Sequence, residues 1–159
     1  MAATSIPVPA SGGISRVLHR ARVEPAYAAF LTLRIGFFVL PVVFGLDKFF
    51  NALTNWEGYL APWLVGLLPF SGHTAMLIVG VVEIVAGILI AIKPRYAAYV
   101  VALWLAGIIV NLVTYSGFYD VALRDFGLLV AALALAQLAR TYDPRTGGRV
   151  RANSISKSR

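Results

Sequence analysis

A chain of 159 residues has room for one domain, and 59% of this one is hydrophobic, more than a soluble fold of that size can bury. The excess calls for lipid as the solvent. The formal charge of +7 sits in the two ends and one short turn, with no basic groove interleaved with aromatics, so nucleic acid is not an expected partner. There is no cysteine, and of the two histidines His19 falls in the polar head. That removes disulfides, thiolate metal sites and thiol relays, argues against a bis-histidine haem, and leaves no metal site to expect.

Residues 1–25 are rich in Ala, Ser, Gly and Pro, with Arg16, Arg20 and Arg22 near their end. They lack the early apolar core of a cleavable signal and read as a cytoplasmic N-terminal tail. A membrane domain over 26–141 follows, with its first span at about 28–50. At ~1.5 Å per residue this helix is long enough for a ~30 Å hydrocarbon core, and Pro41 is expected to kink it. Residues 51–72 are apolar but broken by Pro62, Pro69 and glycines. Trp56, Tyr59 and Trp63 recur at helical spacing, which predicts a short interfacial helix with three rings on one face; a re-entrant segment or a lid is the alternative. Further spans are expected at about 73–92, 95–115 and 120–140. Lys93-Pro94-Arg95 makes a tight turn, and Ser116 to Tyr119 form a linker with Asp120 placed to cap the fourth helix. Residues 142–159 read as a basic cytoplasmic tail.

The expected architecture is therefore all-α, an integral membrane four-helix bundle. Every short segment that carries lysine or arginine falls on one side: the head, the 93–95 turn and the tail. The opposite segments, 51–72 and 116–119, carry none. Positive charge stays inside, so both termini are expected in the cytoplasm.

Charges within spans are costly and need a partner or a function. By helical rise, Arg34 lies ~9 Å and Glu83 ~14 Å from the cytoplasmic edge, and a pair between them across the first and second helices is expected. Glu83 shares its face with Gly80 and Gly87, small residues that let a neighbouring helix come close. A second polar layer nearer the outer edge holds Asp47, Lys48, Asn111, Arg124 and Asp125, with Lys48 and Arg124 balancing Asp47 and Asp125. Asp120 and Arg124 are also spaced to pair along one helix face. Balanced pairs of this kind fix helix register, and they also build polar ligand sites and proton paths. Trp104 and Phe37, Phe38, Phe44, Phe49 and Phe50 are candidates to line a quinone pocket or to pack helices. His73, at the start of the second span, is a weaker candidate to serve a quinol or proton donor.

Three stretches carry a family likeness. Leu33-Arg34-Ile35-Gly36 followed by Gly45-Leu46-Asp47-Lys48-Phe49 resembles the first helix of the DoxX family of small bacterial membrane proteins. Gly80-Val81-Val82-Glu83 with Gly87 resembles that family's second helix, and Leu123-Arg124-Asp125 with Gly127 its fourth. The resemblance spans about residues 28–140. It implies a four-helix membrane subunit associated with redox systems, as in an archaeal thiosulfate:quinone oxidoreductase or actinobacterial oxidative-stress complexes. Some relatives use cysteines, a departure here that argues against sulfur chemistry within this chain.

The leading expectation is thus a membrane-anchoring or accessory subunit of an oxidoreductase system in a bacterial cytoplasmic membrane. It would have no cofactor of its own, a quinone as candidate ligand, and the bilayer with a redox enzyme or further copies of itself as partners. Its catalytic residues are unassigned. A small-molecule or proton-coupled transport protein and a ligand-free scaffold are the rival readings.

Overall fold

The structure is a computed structural model that describes residues 13–115 and 117–143. The expected tail beyond 143, the head before 13 and Ser116 of the linker lie outside the described residues. All regular structure within them is helical: α1 (Gly13–Val23), α2 (Pro25–Asp47), α3 (Pro62–Leu67), α4 (Gly72–Ile92), α5 (Pro94–Val113) and α6 (Tyr119–Tyr142), with a single 3-10 turn at Trp56–Tyr59. Helices α2, α4, α5 and α6 are each long and apolar enough to cross a membrane. The chain is a multi-pass membrane protein.

Local chemistry sets the boundaries. Pro25, Pro62 and Pro94 each stand in the first turn of a helix, where a missing N–H leaves nothing unsatisfied and the fixed φ suits the helix. Ser71 caps α4 by accepting from the Thr74 amide at 3.2 Å. Asp120 does not cap α6: Phe118 is the flanking residue and Asp120 lies inside the first turn. Helix α2 continues through Pro41 to Asp47. The expected tail differs most, because its residues 13–23 form α1.

The spans pack as two antiparallel pairs, α2 with α4 and α5 with α6, joined by contacts of α2 with α6 and of α4 with α5. The first pair meets backbone to backbone. A Cβ on Gly45 would lie 2.6 Å from the Gly80 carbonyl oxygen, and one on Gly87 would lie 2.9 Å from that of Phe38. Glycine is needed there because any side chain would push the helices apart. The register this fixes sets Arg34 across from Ala91 and Val42 across from Glu83.

The bundle has two unlike halves. Toward the start of α2 and the end of α6, Phe30, Ile90, Ala97, Ala98, Ala132, Leu135, Ala136 and Ala139 form a closed apolar core. Below it, at the end that carries Arg20, Lys93 and Arg95 (the basic end), Glu24 joins the first and last spans. Its carboxylate accepts from the Tyr142 hydroxyl at 2.6 Å and from Arg20 Nε at 2.8 Å. The two spans therefore start and finish at one end of the bundle, beside Lys93 and Arg95 of the α4–α5 turn. The other half is hollow.

Gly45→Ala or Gly80→Ala is expected to lower stability by ~1–3 kcal/mol through forced separation of α2 and α4. Gly36→Ala and Gly127→Ala, where nothing lies within 4 Å of the added carbon, should stay within ~1 kcal/mol of wild type. Thermal unfolding in detergent checks both. A pH dependence follows from the clamp. Tyr142 and then Arg20 hold the Glu24 carboxyl below its ordinary value of 4.5. A depressed folded value means its contribution is complete above that ordinary value and lost as pH falls through the folded one. The stability gap between wild type and Glu24→Gln should therefore be widest at neutral pH and close in acid. A gap that widens in acid would refute the clamp.

Candidate functional site

At the end opposite Glu24 and Tyr142, α2 finishes in Asp47, with Lys48 as its flanking residue. A carboxylate at a helix C-terminus faces unfavourable carbonyl dipoles and needs donors. Asp47 has them: the amides of Ala52 at 3.1 Å and Leu53 at 3.2 Å, and the Trp56 indole N–H at 2.7 Å. Asn51 supplies the reversal with φ 51°, a left-handed conformation that asparagine tolerates. Asp47 thereby turns the chain back over the bundle and draws Trp56 inward.

Lys48 is the most buried charged side chain among the described residues, at 4% exposure. Its ammonium donates to Glu83 Oε2 at 2.6 Å and lies 3.8 Å from the centre of the Trp56 ring. Trp56 therefore bridges the dyad, with its N–H on Asp47 and its face on Lys48. A buried ammonium is tolerable only with such compensation.

The expected Arg34–Glu83 pair does not form. Arg34 Nη2 donates instead to the Ala91 carbonyl near the end of α4, with its guanidinium 5.8 Å from the Phe30 ring. The register explains the exchange. Position 42 faces Glu83; Lys48 is six residues beyond it, ~9 Å, and Arg34 is eight residues before it, ~12 Å. Arg34 meets an unsatisfied C-terminal carbonyl directly opposite, where a cation is favoured. The expected balance of Asp47 and Asp125 against Lys48 and Arg124 is replaced as well. Asp47 is neutralised by N–H donors, Lys48 by Glu83, and Arg124 pairs with Asp120 at 3.2 Å on an exposed face.

Segment 51–72 is not one interfacial helix. It is the 3-10 turn and α3, folded across the open end as a lid, the alternative raised by its broken sequence. Asn111 holds its middle from both sides: the amide nitrogen donates to the Tyr59 carbonyl at 2.7 Å, and the amide oxygen accepts from the Ala61 N–H at 2.9 Å. Trp63 donates to Thr114 Oγ1 at 2.9 Å, and His73 Nδ1 lies 2.9 Å from Glu57 Oε1. Rings of Phe44, Trp56, Tyr59 and Phe118 succeed one another across this end at 4.8–5.9 Å.

Under the lid lies a cavity of about 550 Å³. Phe37, Phe44, Met76 and Leu105 are among its apolar walls, Trp56 and Tyr59 belong to its roof, and Lys48, Glu83, Asn111, Arg124 and Asp125 supply its polar lining. Trp104 lines it too, and its indole N–H is, among the described residues, the one buried side-chain polar atom without a partner. Five expected site residues thus share one cavity, with Asp47 beneath the lid beside it. Arg34 and Phe38 lie elsewhere, in a crevice with Leu31, Ile35 and Ala91. His73 belongs to the lid's outer edge, and Phe49 and Phe50 are exposed. The sequence reading missed Trp56 and Tyr59 as cavity residues. The signal was their position just after Asp47, whose free carboxylate had to find donors in the following turn.

The volume falls within the range of small-molecule sites, and the pattern of apolar walls with a few convergent polar groups is that of a ligand pocket. The residues that line the cavity include two donors, Lys48 and Trp104, and the carboxylate of Glu83. That set suits a lipophilic ring compound with carbonyl or hydroxyl oxygens. Comparison with family models, curated proteins and solved structures returns no match.

A double-mutant cycle on stability separates the two pairings. Lys48→Met or Glu83→Gln alone should cost ~3–5 kcal/mol, and the double variant clearly less than their sum. Arg34→Met and Glu83→Gln should add. Additive losses for Lys48 and Glu83 would contradict the contact.

Proposed function

We propose that this chain is a membrane accessory subunit of an oxidoreductase system that takes up a quinone-type ligand in the cavity beneath its lid. The observation that carries the reading is Trp104: among the described residues its indole N–H is buried without an acceptor, and the residue lines a largely apolar cavity. A donor in that state is costly, and a ligand oxygen would satisfy it. A quinone fits the donor set: an apolar ring and tail for the walls, and carbonyl oxygens for Trp104 and Lys48. When bound, it supplies the electron transfer that none of these side chains can perform. The chain's own part is to orient the ring, screen it with the lid, and keep the Lys48 ammonium in place against the Glu83 carboxylate. The likeness to DoxX proteins points the same way, toward a redox partner in a bacterial cytoplasmic membrane with the basic end in the cytoplasm.

Titration of the purified protein with a short-chain quinone should quench tryptophan fluorescence saturably, because Trp56 and Trp104 line the cavity. Trp104→Phe is expected to weaken that binding ~5-fold, the value of one hydrogen bond of ~1 kcal/mol. Quenching that never saturates, or is indifferent to Trp104→Phe in a folded variant, would defeat the ligand assignment. Mild detergent extraction with mass spectrometry tests the accessory role: a redox enzyme should accompany the chain, and recovery of self-associated copies alone would count against it.

A second reading is favoured by Asp125, which interacts electrostatically with Lys48 and sets a second carboxylate in the cavity. Ionisable groups sharing an intramembrane cavity are also the material of proton-coupled transport. Flux into proteoliposomes that disappears in Glu83→Gln would support it over the redox role.

A further inference from the structure

Helix α1 has no buried residue, yet its two sides differ in chemistry. Ile14, Val17, Leu18 and Ala21 follow i, i+3, i+4 and i+7 spacing and form one apolar stripe. Arg16, His19 and Arg20 stand on the opposite side, Arg22 flanks the stripe, and the helix contains no acidic residue. Val23 is the one apolar residue outside the stripe. Ile14, Val17 and Leu18 are all exposed in the monomer. A helix of this kind is unstable in water alone, because its apolar side gains nothing there.

The last turn of α1 adjoins the start of the first spanning helix. A single residue, Glu24, separates it from the first spanning helix, and its extended backbone breaks the run between the two. Arg20 donates to Glu24 and lies 4.4 Å from the Tyr27 ring centre and 5.3 Å from that of Tyr142. These contacts hold α1 against the starting turn of α2 and the final turn of α6. With Arg20 occupied, Arg16 and Arg22 remain for another anion, and Lys93, Arg95 and Arg140 stand at the same end.

We infer that α1 is a surface-lying helix that docks on the anionic lipid headgroups of the leaflet at the basic end, its Ile14–Val17–Leu18–Ala21 stripe set into the acyl boundary. The occupant is lipid because the spanning segment begins within one residue of α1, and because an all-basic polar side complements anionic headgroups. Docked in this way, α1 would hold the entry of α2 at one depth and steady the Glu24–Tyr142 clamp. The inference is independent of the ligand proposed for the cavity.

The absence of cysteine makes the test clean. Single substitutions Ile14→Cys, Val17→Cys, Leu18→Cys, Arg16→Cys and His19→Cys in the full chain would be spin-labelled in vesicles of phosphatidylcholine with phosphatidylglycerol. Labels at 14, 17 and 18 should collide with oxygen severalfold more than with a water-soluble nickel chelate, and labels at 16 and 19 the reverse. In phosphatidylcholine alone the contrast should shrink, and it should shrink likewise in anionic vesicles when Arg16→Gln and Arg22→Gln are added to Val17→Cys. Nickel access at every position would show a solvated helix and overturn the inference. Shielding of 14, 17 and 18 from both reagents would overturn it in favour of a second copy or a protein partner. A contrast indifferent to lipid charge would overturn the role of anionic headgroups.

Discussion

A lysine removed from water must be given back most of what hydration supplied, and the capped half of this bundle is arranged around that requirement. Lys48 has Glu83 at 2.6 Å and the face of Trp56 at 3.8 Å. Glu83 can reach it because α2 and α4 meet at Gly45 and Gly80 without side chains between them. Trp56 can cover it because Asp47, one residue earlier, binds the indole N–H and two amides of the returning loop. Adjacent residues of opposite charge thus act in different directions, Asp47 upward on the lid and Lys48 inward on the bundle. A buried pair of this sort adds little to net stability over a well-packed apolar substitute. Its value lies in fixing where polar chemistry stands inside an apolar cavity.

The contrast between the halves of the molecule gives that polar chemistry its setting. Small residues on α5 and α6, such as Ala98, Ala132 and Ala136, let those helices close tightly at the basic end. Toward the lid the same helices carry Trp104, Asn111 and Asp125, and the space between the two helix pairs stays open as the cavity. Asn111 spends both ends of its amide on the lid backbone, so the lid is part of the folded bundle and screens the cavity from that end. The indole N–H of Trp104 is the one buried side-chain polar group of this half that no described residue satisfies.

Much of the architecture was legible in the sequence. Four apolar runs of spanning length, punctuated by Pro94 and by the Gly/Pro-broken 51–72 segment, give the helices within a few residues. Gly80 and Gly87 on the face of Glu83 announced a close helix contact. The Arg34 pairing was not recoverable from depth alone. Depth places Arg34 and Glu83 within reach, but only the glycine register shows that Arg34 has a free carbonyl opposite and that Lys48 is nearer to Glu83. Helix α1 was hidden by composition: Arg16, Arg20 and Arg22 read as a charged tail, while the spacing of Ile14, Val17, Leu18 and Ala21 carried the helical signal. The broken apolar segment reads as an interfacial helix, with a lid as one of two alternatives, and what decides for the lid is hydrogen bonding by Asp47 and Asn111, residues outside the segment in sequence though not in space.

The capped half of the bundle requires Lys48 and Glu83 to be in contact inside the bilayer. Solid-state NMR of the protein in lipid, with lysine side-chain nitrogens and glutamate carboxyl carbons labelled, measures that directly through dipolar dephasing. A separation within about 4 Å, abolished by Glu83→Gln and by Lys48→Met, is the expected result for a direct ammonium–carboxylate hydrogen bond. Absence of the coupling in the wild-type protein, or a guanidinium coupling from Arg34 to the Glu83 carboxylate in its place, would contradict it.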